Sequence, residues 1–290
     1  MKNDNKKNLC DFFRTEIYFK LKENVMLIVG ELINASRKAI AAAIEALDQK
    51  QIQQVAKNQI EAGANYIDVN AGVFVGKEPQ YLEWLVKTVQ SVVSEPCCID
   101  SPDPKAIEAA LAVHSGTPII NSISMEKDRL DGLLPILAGT DLKVVALCMS
   151  DESMPKTADD RMAIADKLVN RLVQNNVAIK NIYVDPLVQP VSTNIQLGVE
   201  FLNAIERIMA AFKGVHTLCG LSNVSFGLPN RKLLNRTFMS MAIAKGLDGA
   251  IVDPLDKKMM ASIITAETLA GKDEYCRQYL KAYRAKLFEF

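Results

Sequence analysis

Eight short apolar runs, each followed by an amphipathic stretch, constrain this 290-residue chain more than any other feature. The runs are Leu27–Ile33, Tyr66–Asn70, Cys97–Asp100, Pro118–Ser122, Val144–Met149, Asn181–Asp185, Thr217–Leu221 and Gly249–Val252. Strands that are apolar throughout and separated by helices belong to a parallel sheet covered on both faces. The stretches Gln51–Ala62, Tyr81–Ser94, Pro104–Ala112, Asp159–Gln174, Gly198–Phe212, Lys232–Lys245 and Lys257–Ala270 provide the cover. In one of them Ala163, Ala165, Leu168, Val169 and Leu172 mark a single apolar helical face. This alternation predicts a single-domain (β/α)8 barrel, with an open doubly wound sheet as the alternative.

Nothing in the composition divides the barrel. Residues 1–25 read as an N-terminal extension, 26–272 as the barrel and 273–290 as a C-terminal helix. The first 24 residues lack the apolar centre and small-residue cleavage site of a secretion signal. A net charge of zero speaks against a nucleic-acid partner, which needs a concentrated basic face. No apolar run approaches the roughly 20 residues that cross a bilayer, so no membrane association is expected. Cys10, Cys97, Cys98, Cys148, Cys219 and Cys276 show no paired spacing and read as reduced thiols of a cytoplasmic protein. The two histidines, His114 and His216, stand at no metal-ligand spacing, and no tightly bound metal is expected.

The chemistry lies where the runs end. In a barrel the carboxyl ends of the strands surround one open bowl. Asp68 and Asn70 would end the second strand, Asp100 the third, Asn121 the fourth, Asp185 the sixth and Asn223 the seventh. Ser101 and Asp103 can cap the helix that follows, which leaves Asp100 free. Asp185 precedes Pro186, so its backbone is extended at a strand end. A carboxylate in such a bowl accepts two parallel hydrogen bonds from a ring N–H and a neighbouring amino group, as on a pterin or guanine edge. Asn121 and Asn223 bring both donors and acceptors.

The stretch from Thr217 to Arg231 is the richest part of the chain. Gly220, Ser222, Asn223 and Ser225 form a polar loop of small residues, followed by Asn230 and Arg231. Arg231 fits either an anionic substrate tail or a surface ion pair. Asp253, before Pro254, reads as a turn residue, and Lys77, Lys143 and Lys245 as solvated side chains. No glycine-rich phosphate loop occurs, and no Ser–His or Cys–His nucleophile can be assembled.

Taken in order, several motifs resemble the methyltetrahydrofolate:corrinoid protein methyltransferase family, whose pterin-binding barrel is shared with cobalamin-dependent methionine synthase. They are Gly30-Glu31-Leu-Ile-Asn34, Tyr66-Ile-Asp-Val-Asn-Ala-Gly72, Cys98-Ile-Asp-Ser101, Ile119-Ile-Asn-Ser122, Tyr183-Val-Asp-Pro-Leu187, Gly220-Leu-Ser-Asn-Val-Ser225 and Asn235-Arg-Thr-Phe238. The likeness runs from about Met26 to Cys276. It implies a (β/α)8 barrel, usually a homodimer, in anaerobic one-carbon metabolism. Asp100, Asn121 and Asp185 match the pterin-binding residues, and Gly220, Ser222 and Asn223 match the loop after the seventh strand. Asn223 would act at the methyl-bearing nitrogen, with Asp100 as the second catalytic residue. Arg231 matches an arginine near the folate, and Phe226 stands where family members often carry a polar residue. Tetrahydrofolate or methyltetrahydrofolate would be substrate. The corrinoid would come on a separate carrier protein, because neither histidine lies in a D-x-H-x-x-G motif. A non-catalytic folate binder and a dihydropteroate synthase-like enzyme are the alternatives.

Overall fold

The computed structural model describes residues 26–289, so the expected extension at 1–25 lies outside the described residues. Eight parallel strands close into a barrel in sequence order. They are β1 (Leu27–Asn34), β2 (Tyr66–Asn70), β3 (Cys97–Asp100), β4 (Ile119–Met125), β5 (Lys143–Ser150), β6 (Ile182–Asp185), β7 (His216–Gly220) and β8 (Gly249–Val252). The barrel reading holds and the open-sheet alternative falls, because β8 pairs with β1.

The helices follow as α1 (Lys38–Glu45), α2 (Gln49–Glu61), α3 (Glu78–Gln90), α4 (Pro104–Leu111), α5 (Lys127–Leu137), α6 (Ala158–Gln174), α7 (Gln196–Ala211), α8 (Arg231–Ala244), α9 (Lys257–Leu269) and α10 (Arg277–Arg284). Helices α1 and α5 were not among the amphipathic stretches picked out above. Gly132 and Pro135 interrupt the pattern of α5, and packing forms the helix despite them. Strand β4 runs three residues past its expected end at Ser122, because its ladder with β5 continues to Met125 opposite Ser150. Helix α10 packs on α9 through Ile264, Ala282, Leu287 and Phe288.

Period-two alternation divides the apolar residues between two cores. Val29, Tyr66, Cys98, Ile119, Val145, Tyr183 and Leu218 fill the barrel interior. Their neighbours Ile28, Ile67, Ile99, Ile120, Val144, Ile182 and Cys219 face outward into the shell beneath the helices. That shell contains most of the buried side chains, and at about 1.5–3 kcal/mol for each large one it dominates the stability. The same alternation positions the site. Two residues beyond the interior layer, and four beyond Tyr66, the inward positions are Glu31, Asn70, Asp100, Asn121, Leu147, Asp185 and Gly220.

Candidate functional site

Three of the inward positions, Asn70, Asp100 and Asn121, are strand neighbours, and Asn34 at the end of β1 extends the row. Asn34 is in register with Asn70, Asn70 with Asp100, and Asp100 with Asn121. Adjacent strands lie about 4.8 Å apart, so these residues form a continuous row of amides and carboxylate along one wall. Asn70 is fixed at both ends. Its Nδ2 donates to Asp100 Oδ2 at 3.0 Å, and its Oδ1 accepts from Gly72 N at 3.1 Å. Burial pushes the Asp100 carboxyl up to about 6, against the Asn70 hydrogen bond and the charge of Arg129. The capping reading holds: Asp103 Oδ1 accepts from Lys105 N at 3.0 Å and starts α4. Ser101 Oγ accepts from Asp103 N and donates to Glu78 Oε1. Asp100 is therefore free of the helix start.

Asp68 does not end its strand. Asn70 takes the rim position and Asp68 lies two residues lower, 2% exposed inside the barrel. Its carboxyl hydrogen-bonds Cys98 and Asn121, while Oδ1 has no partner. Burial, then the charge of Asp100, raises its pKa well above the ordinary range. Two carboxyls are thus stacked in the bowl, with Asn121 touching the lower one.

The opposite wall is built from β6 and β7. Asp185 Oδ1 accepts from Leu187 N at 2.8 Å, and the Gly220 N–H donates to the same carboxyl. Burial pushes it up to about 7, opposed by those two hydrogen bonds and by Arg161. Asp185 thus fixes a turn and also occupies an inward rim position.

Asn223 is not at a strand end. Strand β7 stops at Gly220, and Leu221–Ser225 wind into a 3-10 turn that carries Ser222 and Asn223 across the rim. Arg231, at the start of α8, holds this turn. Its Nε donates to Ser225 Oγ at 3.0 Å and its Nη2 to Ser222 O at 2.8 Å. Its guanidinium lies 4.4 Å from the centre of the Phe226 ring. Arg231 therefore braces the loop, which neither sequence reading of it anticipated, and Phe226 is its platform. No side-chain hydrogen bond ties the Asn223 amide to the other described residues.

Glu31 reaches the rim through a bulge. The β1–β2 register shifts between Gly30 and Ile33, and the loosened Leu32 N–H donates to Gln59 Oε1 at 2.9 Å. A Cβ on Gly30 would collide with that Gln59 oxygen, so a larger residue there would push the Gln59 side chain off the Leu32 N–H. Burial raises the Glu31 carboxyl, against an ion pair with Arg37 at 2.7 Å. Asp253 and Arg231 also act on it. Asp253 itself makes the expected turn, accepting from Leu255 N at 2.9 Å.

Comparison with known proteins adds an independent line. A pterin-binding enzyme family matches residues 30–253. A methylcorrinoid:tetrahydrofolate methyltransferase of Eubacterium limosum is 36% identical over 89% of this chain and 96% of its own length. The chain belongs to the pterin-binding enzyme family. A methionine synthase of Mycobacterium tuberculosis is 30% identical over 78% of this chain, which corresponds to 20% of that protein. Among solved structures, a dihydropteroate synthase from Coxiella burnetii in complex with pteroic acid superposes with a TM-score of 0.67 at 16% identity. That superposition covers 87% of this chain and 95% of the other, and at this identity it shows the shared fold.

Within this pterin-binding barrel, the expected residues sort by height. Asn70, Asp100, Asn121, Asp185 and Gly220 reach the rim on strands, Ser222, Asn223, Phe226 and Arg231 on the turn and helix beyond β7, and Asp68 lies below. Glu31 and Arg161 were not among the expected site residues. Glu31 appears in the Gly30–Asn34 motif, but its partners are far away in sequence. Arg161 is hidden in the pattern of α6, where an arginine on the apolar side looks like a solvated one. Lys143, expected to be solvated, is half-buried at the barrel floor, with Nζ 5.2 Å and 5.7 Å from the ring centres of Tyr66 and Tyr183. It opens β5 with the interior parity, and two rings cover it. His216 stands on the same floor, paired with Asp248 at 2.7 Å, far from the rim end of β7. His114 accepts from Cys97 N at 2.9 Å. Neither imidazole reaches the bowl, so neither is placed to ligate a corrinoid cobalt there.

Proposed function

We propose that this methyltransferase moves a methyl group between N5 of tetrahydrofolate and the cobalt of a corrinoid held by a separate protein. The observation that carries the reading is the pair of rim carboxyls, Asp100 partly exposed and Asp185 buried, on facing walls beside Asn121 and the Asn223 turn. The 36% identity to an enzyme whose name contains both substrates supports the same assignment.

In this reading the chain's residues bind, orient and handle one proton. Asp100 and Asp185 accept hydrogen bonds from the ring N–H and amino group of the pterin, and these donors compensate their burial. Asn121 fixes the remaining polar edge. When tetrahydrofolate is the acceptor, the N5 lone pair would form the carbon–nitrogen bond as the carbon–cobalt bond breaks with its electron pair left on the carrier's metal; Asn223 Oδ1 accepts a hydrogen bond from N5–H, and that proton passes to solvent. In reverse the methyl leaves without the bonding pair, and Asn223 Nδ2 donates to N5 as electron density collects there. A hydrogen bond that strengthens in the transition state accelerates the reaction by about 10²–10³-fold. The carrier's corrinoid supplies the cobalt that exchanges the methyl. No protein nucleophile is needed. A homodimer in the cytoplasm belongs to the same proposal, supported by exposed Leu233, Leu234 and Met241 on α8 and by free buried thiols.

The test is an anaerobic absorbance time course with the protein, tetrahydrofolate and methylcob(III)alamin. Conversion to cob(I)alamin is expected only when protein and folate are both present. Asn223→Ala should lower turnover by about 10²-fold while folate affinity is kept. Folate binding without exchange, even with a purified native corrinoid protein, would convert the reading to a non-catalytic binder. Absence of folate binding would end it.

A further inference from the structure

Arg161 heads the large fully buried side chains of the described residues. A buried guanidinium is tolerated only when its donors meet fixed acceptors. Its three partners are backbone carbonyls. Nε donates to Pro186 O at 2.7 Å, Nη1 to Thr157 O at 3.1 Å and Nη2 to Leu187 O at 3.4 Å. Two of these acceptors directly follow Asp185 in the chain.

The segment they hold has an unusual backbone. Leu187 has φ 65°, a left-handed conformation that a branched non-glycine residue keeps only when its surroundings dictate it. Its carbonyl accepts from Arg161 and its N–H donates to Asp185 Oδ1, so Arg161, Leu187 and Asp185 form one bracket. The bracket extends across the rim. Val191 N donates to Val224 O at 3.0 Å, and Ser192 Oγ donates to Phe226 O at 2.6 Å. The loop after Asp185 is therefore stitched to the turn that carries Asn223.

Arg161 is itself well placed to act as an anchor. It sits on the first turn of α6, which opens with a capping box of Thr157 and Asp160. Glu200 Oε2 accepts from Ala158 N at 2.6 Å at the same helix start. The groups facing the Asp185 carboxyl are Arg161 from α6, Cys148 from β5, Cys219 from β7 and the N–H groups of Leu187 and Gly220. Arg161 is the charged one among them.

We infer that Arg161 is a positioning residue for folate binding: its fork holds the Pro186–Leu187 backbone so that Asp185 presents its remaining lone pairs to the pterin. The inference rests on the folate reading above and adds to it a residue outside the bowl. Without the fork, the left-handed turn relaxes and the Asp185 carboxylate loses its fixed direction.

Arg161→Met and Arg161→Lys in the full chain test this. Circular dichroism establishes folding, and anaerobic titration with tetrahydrofolate gives affinity across the neutral and acid range. Arg161→Met should bind about tenfold more weakly, the loss typical of one well-placed charged hydrogen bond, with kcat at saturating folate changed less than KM. Its acid limb of affinity should move to higher pH, because the positive charge opposing Asp185 protonation is gone. Arg161→Lys keeps the charge and hence the limb, but an ammonium cannot span both loops, so affinity returns only in part. A folded Arg161→Met with wild-type affinity and an unmoved limb overturns the inference. If Arg161→Met does not fold, wild-type affinity in Arg161→Lys overturns it. Failure of the wild-type protein to bind tetrahydrofolate would overturn the folate reading itself, and this inference with it.

Discussion

Asn70 and Asp100 are register partners on adjacent strands, and Asn70 Nδ2 donates to Asp100 Oδ2 at 3.0 Å. This contact leaves the other oxygen of Asp100 for a ligand and holds the carboxyl in one orientation. Removing it should weaken the site without touching the ligand.

Asn70→Ala is therefore expected to raise the Kd for tetrahydrofolate by about tenfold, the effect of about 1–2 kcal/mol from one hydrogen bond to a charged group. The Asp100 carboxyl would also titrate higher, since Asn70 now holds it down. Folate titrations at neutral and mildly acid pH check both effects. An unchanged Kd at both would show that Asp100 needs no support from Asn70.

Folate affinity should depend on pH in a defined direction. Asp185 and Asp100, pushed up to about 7 and about 6 by burial, must be ionised to accept two hydrogen bonds each. Affinity is then highest above about pH 8, falls through about 7 and steepens below about 6. Kd measured by titration over that range tests the order of events. A flat profile would remove both carboxylates from the binding interaction.

Stability of the ligand-free protein should run the opposite way. The carboxyls of Asp185 and Glu267, each pushed up to about 7 by burial, bind protons more tightly in the folded chain than in the unfolded one. Stability from these groups is fully present below the unfolded carboxyl range and is lost as pH rises through about 7. Each tenfold difference in proton affinity between the folded and unfolded chains is worth about 1.4 kcal/mol. The loss between about pH 5 and about pH 8 is then on the order of 2 kcal/mol for each group. Thermal unfolding at the two pH values should show the lower midpoint on the alkaline side. Asp185→Asn and Glu267→Gln should each flatten the difference.

Arg231→Lys should lower kcat by about tenfold or more with little change in folding. One ammonium cannot replace the bonds to Ser225 Oγ and Ser222 O or the stacking on Phe226. The turn that carries Asn223 would lose its brace, and a misplacement of about 1 Å at the reacting nitrogen is costly. Steady-state kinetics decide this. A fall confined to KM would instead assign Arg231 to folate binding.

The barrel and most of its rim were legible in the chain. Strand parity alone puts Asn70, Asp100, Asn121 and Asp185 on the inward face, because successive side chains alternate and Tyr66, Cys98, Ile119 and Tyr183 mark the interior below them. The same parity, applied strictly, places Asp68 below the rim and Lys143 on the floor. Helix α5 escaped because Gly132 and Pro135 spoil its periodicity, and Asn223, expected at a strand end, falls on the turn beyond it because nothing local fixes where β7 stops.

By itself the sequence determined the eight-strand barrel, the inward order of its polar residues and the motifs of its family, since each depends on spacing along a short run of chain. Tertiary structure decided the rest. The bulge at Gly30 needs Gln59 from α2, the Asn223 turn needs Arg231 from α8, and the Asp185 bracket needs Arg161 from α6. The Gln59 and Arg161 contacts join residues 27 and 25 apart and form only when the barrel brings their elements together, while the Arg231 brace depends on how the chain folds back beyond β7. A hydrogen bond between distant residues leaves no periodic trace in sequence, so the supports of the site became visible only in the fold.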